Sequence, residues 1–194
     1  KGYVEHRDID AVPKRSSSDR IAIGIDHLFF VAGLLLLVGW SMRLVYTVTA
    51  FTVGHSVTLA LVSLGVVTNP EALIEWLIAL SIWVLAFELS RPGKHSRLWQ
   101  RPWYLAALFG LLHGMGFAGA LAETGLPQLH LPTALLFFNV GIELGQLAFI
   151  ALLTVVGTFV LRLSQASWIK IAPVYVLGAV STYWLLDRTG ALLG

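Results

Sequence analysis

The sequence predicts an all-α fold: a polytopic membrane protein with six transmembrane helices in one bundle. Three observations carry that expectation. Of 194 residues, 57% are hydrophobic and only 12% charged, the mean hydropathy is +0.78, and six long apolar windows are separated by short connections punctuated by proline. A soluble domain carries about a quarter charged residues, so a cytosolic enzyme, a nucleic-acid binder and a disordered chain are excluded as classes. Membrane β-strands are excluded too, because their apolar segments alternate and run only about ten residues. The chain has no cysteine, which removes disulfides, thiolate metal sites and cysteine nucleophiles.

Residues 1–19 contain Pro13 and the polar run 14–19 and read as a polar N-terminal tail. Residues 20–194 form the transmembrane domain. A spanning helix needs roughly 20 mostly apolar residues, and the windows 20–40, 43–66, 71–90, 102–123, 132–161 and 168–187 qualify. Their boundaries fall at Asn69-Pro70, Arg91-Pro92-Gly93, Arg101-Pro102, Gly125-Leu126-Pro127 and Pro132, where proline ends one helix or opens the next. Trp40, Tyr46, Trp99, Trp103, Tyr104 and Trp168 fall where an interfacial aromatic belt belongs.

Basic residues assign the sides. Arg43, the group Arg91, Lys94, Arg97 and Arg101, and the pair Arg162 and Lys170 occupy alternate connections, whereas connections 67–70 and 124–131 hold no Lys or Arg. The positive-inside rule then puts both termini outside the cytoplasm. The tail argues the other way with Lys1, Arg7, Lys14, Arg15 and Arg20, but Glu5, Asp8, Asp10 and Asp19 interrupt it.

Ionisable groups inside spans are costly, about 2.5–3.5 kcal/mol each on insertion scales, and mark function. Asp26 and His27 fall in the first span, His55 in the second, His113 in the fourth, and Asn139 with Glu143 in the fifth. At about 1.5 Å per residue from the outer ends, Asp26 and Asn139 sit roughly 10 Å deep and His55, His113 and Glu143 roughly 16 Å deep. One layer can therefore hold them all. Asn139, Glu143 and Gln146 form one helical stripe, and Thr52, His55, Ser56 and Leu59 another. Gly110 with Gly114, and Gly141 with Gly145, are small-xxx-small pairs that let helices approach closely. Glu88, three residues before Arg91, reads as half of an interfacial ion pair.

Imidazoles with carboxylates and no thiolates suit a divalent transition metal ion of the nickel, zinc, cobalt or copper class. His27, His55 and His113 with Asp26 or Glu143 supply a first shell. Asn139, Gln146, Thr52 and Ser56 are placed to orient it. No HExxH helix occurs, and Gly54-His55-Ser56 is not the GxSxG elbow of a hydrolase, so a catalytic role is not expected.

The segments 24–29 (GIDHLF), 51–59 (FTVGHSVTL), 109–118 (FGLLHGMGFA) and 138–146 (FNVGIELGQ) together resemble the HupE/UreJ hydrogenase and urease accessory membrane proteins. The resemblance implies a six-helix metal permease or metal-handling protein of the bacterial inner membrane, with nickel the metal of the better-known members. It places the family's aspartate-histidine pair on Asp26 and His27, and its histidine-glycine motif on His113 and Gly114. Nickel-associated members carry further histidines where this sequence has Arg20 and Phe117. The expected partners are the lipid bilayer, the metal ion and either a membrane complex or an extracytoplasmic metal-delivery protein, with no nucleic acid. The competing expectation is an accessory or assembly subunit whose polar layer is structural.

Overall fold

The computed structural model describes residues 17–91, 100–122, 131–163, 166 and 168–193. The tail residues 1–16 and the connections 92–99 and 123–130, with Lys94, Arg97, Trp99, His6, His95 and His130, lie outside them. The regular structure among the described residues is all helical, with six helices and no strand: α1 Ser17–Val38, α2 Met42–Ser63, α3 Glu71–Ser90, α4 Pro102–Ala122, α5 Leu131–Leu163 and α6 Trp168–Leu193. By length and composition α2, α3, α5 and α6 are apolar enough to cross a membrane, while the apolar part of α1, Gly24–Val38, is shorter.

Local sequence explains the boundaries. Gly39 and Gly65 adopt positive φ, 73° and 71°, a left-handed conformation that glycine takes without steric cost, and they end α1 and α2. Pro102 is the first residue of α4, where its missing N–H costs nothing. Helix α5 is 33 residues long, about 50 Å at 1.5 Å per residue. The sixth helix runs beyond the expected end at 187 and carries Arg188 inward.

The core is aliphatic and aromatic, and every helix enters it: Phe30 from α1, Phe51 from α2, Ile78 from α3, Ala106 from α4, Ile150 from α5 and Leu177 from α6. Helix α2 packs most closely on α4, and α3 on α6. The α2–α4 seam is a backbone contact. A Cβ on Gly54 would overlap the Ala107 carbonyl, one on Gly110 the Phe51 carbonyl, and one on Gly114 the His55 carbonyl. Thr58 Oγ1 donates across the seam to the Leu111 carbonyl at 2.7 Å. The second small-residue pair behaves otherwise: Gly141 and Gly145 are exposed and meet nothing, so the close approach expected of them does not occur. Only 11% of the apolar windows of α5 and α6 is buried, against 39% and 44% for α2 and α3. The outer faces, with Phe137, Val155 and Phe159, are apolar.

Candidate functional site

Each polar side chain of the site is delivered by the turn of helix that carries it. In α1, adjacent Asp26 and His27 are both buried but point to different neighbours. In α2, Thr52 and His55 are three residues apart and share a face. His113 lies on α4 beside Gly114, whose lack of a side chain lets α4 rest on the His55 carbonyl. The glycine seam thereby brings His55 and His113 into one region.

The three histidines cluster. The His27 ring centroid lies 6.0 Å from that of His55 and 6.0 Å from that of His113, edge-on in both cases. Phenyl rings wall the cluster: Phe51 is 5.0 Å from His27 and 5.1 Å from His113, Phe30 is 5.2 Å from His113, and Phe117 is 5.3 Å from His55 and 5.7 Å from His27. Phe117 thus takes part in the wall of the cluster.

Hydrogen bonds fix the imidazole tautomers. The Phe109 carbonyl, 2.9 Å from His113 Nδ1, can only accept, so Nδ1 carries the proton. Asn139 donates its Nδ2 to the Leu135 carbonyl at 2.8 Å, which turns Oδ1 toward His55 Nδ1 at 3.2 Å and makes that nitrogen the donor as well. The Nε2 lone pairs of His55 and His113 are then free, and both atoms are buried without a partner among the described residues. This is the arrangement found around metal-ligating histidines, where one ring nitrogen donates to an oxygen and the other faces the ion. His27 differs. Thr52 Oγ1 donates to Gln146 Oε1 at 3.1 Å, Gln146 Nε2 donates to His27 Nε2, and the unpartnered ring atom is Nδ1.

The acids are engaged elsewhere. Asp26 Oδ2 accepts from Arg188 Nη2 at 2.5 Å in a buried ion pair, while its Oδ1 has no partner among the described residues. Arg188 also donates Nη1 to the Glu75 carbonyl at 2.8 Å. Glu143 is half-buried, and its Oε1 accepts from Thr49 Oγ1 at 2.6 Å. Ser56 bonds the Thr52 carbonyl of its own helix at 2.7 Å. Glu88 is buried, and Arg91, expected to pair with it, lies over the Phe87 ring at 4.6 Å instead.

Two residues escaped sequence reading. Arg188 fell one position past the expected end of the last span, and Thr49 lies one turn before Thr52 with no signal beyond that spacing. Among the described residues no group of three or more His, Asp or Glu side chains is assembled so as to hold a metal ion. With metal–nitrogen bonds of about 2.0–2.1 Å, two imidazole centroids on one ion sit roughly 5 Å apart at a tetrahedral angle. The cluster is therefore about 1 Å too open.

The profile of one family, described as HupE / UreJ protein, matches residues 15–188, which takes in all four motifs and every side chain of the site. The chain belongs to the HupE/UreJ family. This is a family of membrane accessory and permease proteins associated with nickel or other metal handling. Neither the curated proteins nor the solved structures yield a match. Asp26-His27 and His113-Gly114 lie on α1 and α4 of this HupE/UreJ protein, and their imidazoles are 6.0 Å apart.

Proposed function

We propose that this HupE/UreJ protein crosses the bacterial inner membrane six times, as a transmembrane domain of residues 20–194 behind a polar tail, with both termini outside the cytoplasm. In that membrane it transports or handles a transition-metal ion of the nickel, copper, zinc or cobalt class and catalyses no reaction. The ion is cargo. His27, His55 and His113 are its ligands, Asp26 and Glu143 are the acids of the site, and Asn139, Gln146 and Thr52 orient the imidazoles while Ser56 lies at the periphery.

One observation carries the reading: three imidazoles from three helices lie buried together, each with one ring nitrogen left unpartnered among the described residues. Burying such a group without compensation costs about 1–3 kcal/mol. Three in one place are hard to reconcile with purely structural histidines, and an ion bound by them would remove the cost. Closing the cluster by about 1 Å, through rotamer adjustment around a bound ion, is within the reach of side chains on three separate helices.

Elemental analysis of the purified protein beside His55→Ala and His113→Ala tests this. The wild type is expected to retain a transition metal that both variants lose, and absence of metal from all three would remove the ligand assignment. Because the ion competes with protons for imidazole, binding should weaken as pH falls through the histidine range.

The accessory-subunit reading is favoured by the Asp26–Arg188 pair, which fastens α1 to α6 as a structural lock would. Proteoliposomes separate the two: uptake of metal supports transport, whereas stable co-purification with an enzyme and no uptake supports the subunit.

A further inference from the structure

Arg188 is no ligand of the site, yet it is ion-paired with Asp26, the residue next to His27. The guanidinium is buried, with one nitrogen on Asp26 and another on the Glu75 carbonyl, and it lies 5.8 Å from the Trp184 ring. Its charge lies against Asp26, the chain neighbour of His27. An arginine stays charged in any protein environment, so this positive charge is a fixed property of the pocket.

The donor set beside it is neutral. His55 and His113 each offer an Nε2 lone pair, whereas the Nε2 lone pair of His27 is already taken by Gln146. Two nitrogen donors, on His55 and His113, therefore stand ready inside phenyl walls, and His27 joins them as the third ligand only when Gln146 releases it. The acids facing this region are accounted for: Asp26 is paired with Arg188, Glu143 accepts from Thr49, and Glu75 is half-buried in the second turn of α3. Desolvating an ion in such surroundings costs several kcal/mol even for a single charge, and the cost rises as the square of the charge. A soft ion with a filled d shell and a single charge accepts two neutral donors in a line, whereas a doubly charged ion needs more donors and an anion among them.

We propose that Arg188 is a specificity-determining residue: by occupying Asp26 it keeps the histidine pocket from gaining negative charge, so that the pocket takes a soft monovalent cation, copper(I) or silver(I), in preference to a divalent one. This rests on the metal-site reading above and narrows its cargo. Arg188 acts through Asp26 and through its own field, without touching the ion.

Silver(I) and zinc(II) test it cleanly, since both have filled d shells and differ in charge. Their affinities are measured by competition titration on the full chain in detergent, for the wild type, Arg188→Met, Arg188→Lys and the double variant Asp26→Asn with Arg188→Met. The wild type should bind silver more tightly than zinc. At an effective dielectric of about 20, a fixed unit charge within roughly 12 Å is worth about tenfold in affinity per unit of ion charge. Arg188→Met should therefore raise silver affinity roughly tenfold and zinc affinity on the order of a hundredfold. Arg188→Lys keeps the charge and should keep the wild-type preference. The double variant removes both charges together and should keep it too, and if Arg188→Met alone fails to fold the wild-type comparison of silver with zinc still decides. The inference is overturned if the wild type binds zinc as tightly as silver, if Arg188→Met moves both affinities by one factor, or if Arg188→Lys behaves like Arg188→Met. A wild type that binds neither ion overturns the metal-site reading itself and the inference with it.

Discussion

Helices α4 and α5 carry the same sequence signal, two glycines four residues apart, and put it to opposite use. In α4, Gly110 and Gly114 lie directly under the backbone carbonyls of Phe51 and His55, with Gly54 answering from α2. In α5, Gly141 and Gly145 face outward with nothing within van der Waals reach. A small-xxx-small pattern thus permits close approach without requiring it. What decides is the rest of the helix. Helix α5 reaches α2 through long polar side chains, Asn139, Glu143 and Gln146, and that face holds the helices apart by the length of those side chains. The glycines at 141 and 145 are turned away from it.

The largest expected effect breaks the comparison at its strongest point. Gly114→Ala drives a Cβ into the His55 carbonyl and the Thr58 hydroxyl, where backbone cannot yield, so it should cost on the order of 3 kcal/mol or more. Gly145→Ala, the matched change on α5, should be neutral or stabilise by roughly 0.5–1 kcal/mol through helix propensity alone. Thermal unfolding in detergent reads both. Equal effects would mean that the two glycine pairs are not distinguished in the folded protein.

Next in size is the buried ion pair that ties α1 to α6. Asp26→Ala strands the Arg188 guanidinium and should destabilise by about 3–5 kcal/mol, whereas Asp26→Asn with Arg188→Met should recover most of that loss, since no buried charge remains. The same thermal measurement checks it, and a double variant no better than the single would deny the pair its role.

Six helices were legible because apolar length and proline punctuation are strong local signals. The gathering of His27, His55 and His113 was legible from depth, since a residue count along a helix is a ruler. Arg188 was not, because a charge at the edge of an apolar window reads as an interface residue until the neighbour that turns it inward is known. The partner of Asp26 is 162 positions away in the chain, and no local pattern encodes it. Which glycine face meets a neighbour was hidden for the same reason. The hydrogen-bond roles of Asn139 and Gln146 depend on amide orientation, and only the contacts of both ends settle that. The Glu88–Arg91 pairing failed because Phe87 offers the guanidinium an aromatic face at 4.6 Å.

A smaller effect sharpens the contrast on the α5 side, where contact is made by amides. Asn139→Leu removes the acceptor that holds the His55 Nδ1 proton in place, and loss of such an outer partner lowers metal affinity 10–100-fold. Ser56→Ala, whose hydroxyl bonds only its own helix, should leave affinity unchanged. Competition titration distinguishes them, and equal losses would show that the imidazole orientation does not depend on Asn139.

The smallest expected effect concerns the one hydroxyl that reinforces the glycine seam. Thr58 Oγ1 donates to the Leu111 carbonyl at 2.7 Å, across from α2 to α4, while that carbonyl also serves the helix ladder of α4. Thr58→Val keeps the shape and removes the donor, so the cost is one net hydrogen bond, about 1 kcal/mol, with no unsatisfied buried group created beyond a carbonyl already bonded. If the α2–α4 contact is held chiefly by backbone approach at Gly54, Gly110 and Gly114, this loss should be small beside that of Gly114→Ala and should not alter metal retention. A Thr58→Val variant as unstable as Gly114→Ala would move the strength of the seam from its glycines to its hydroxyl.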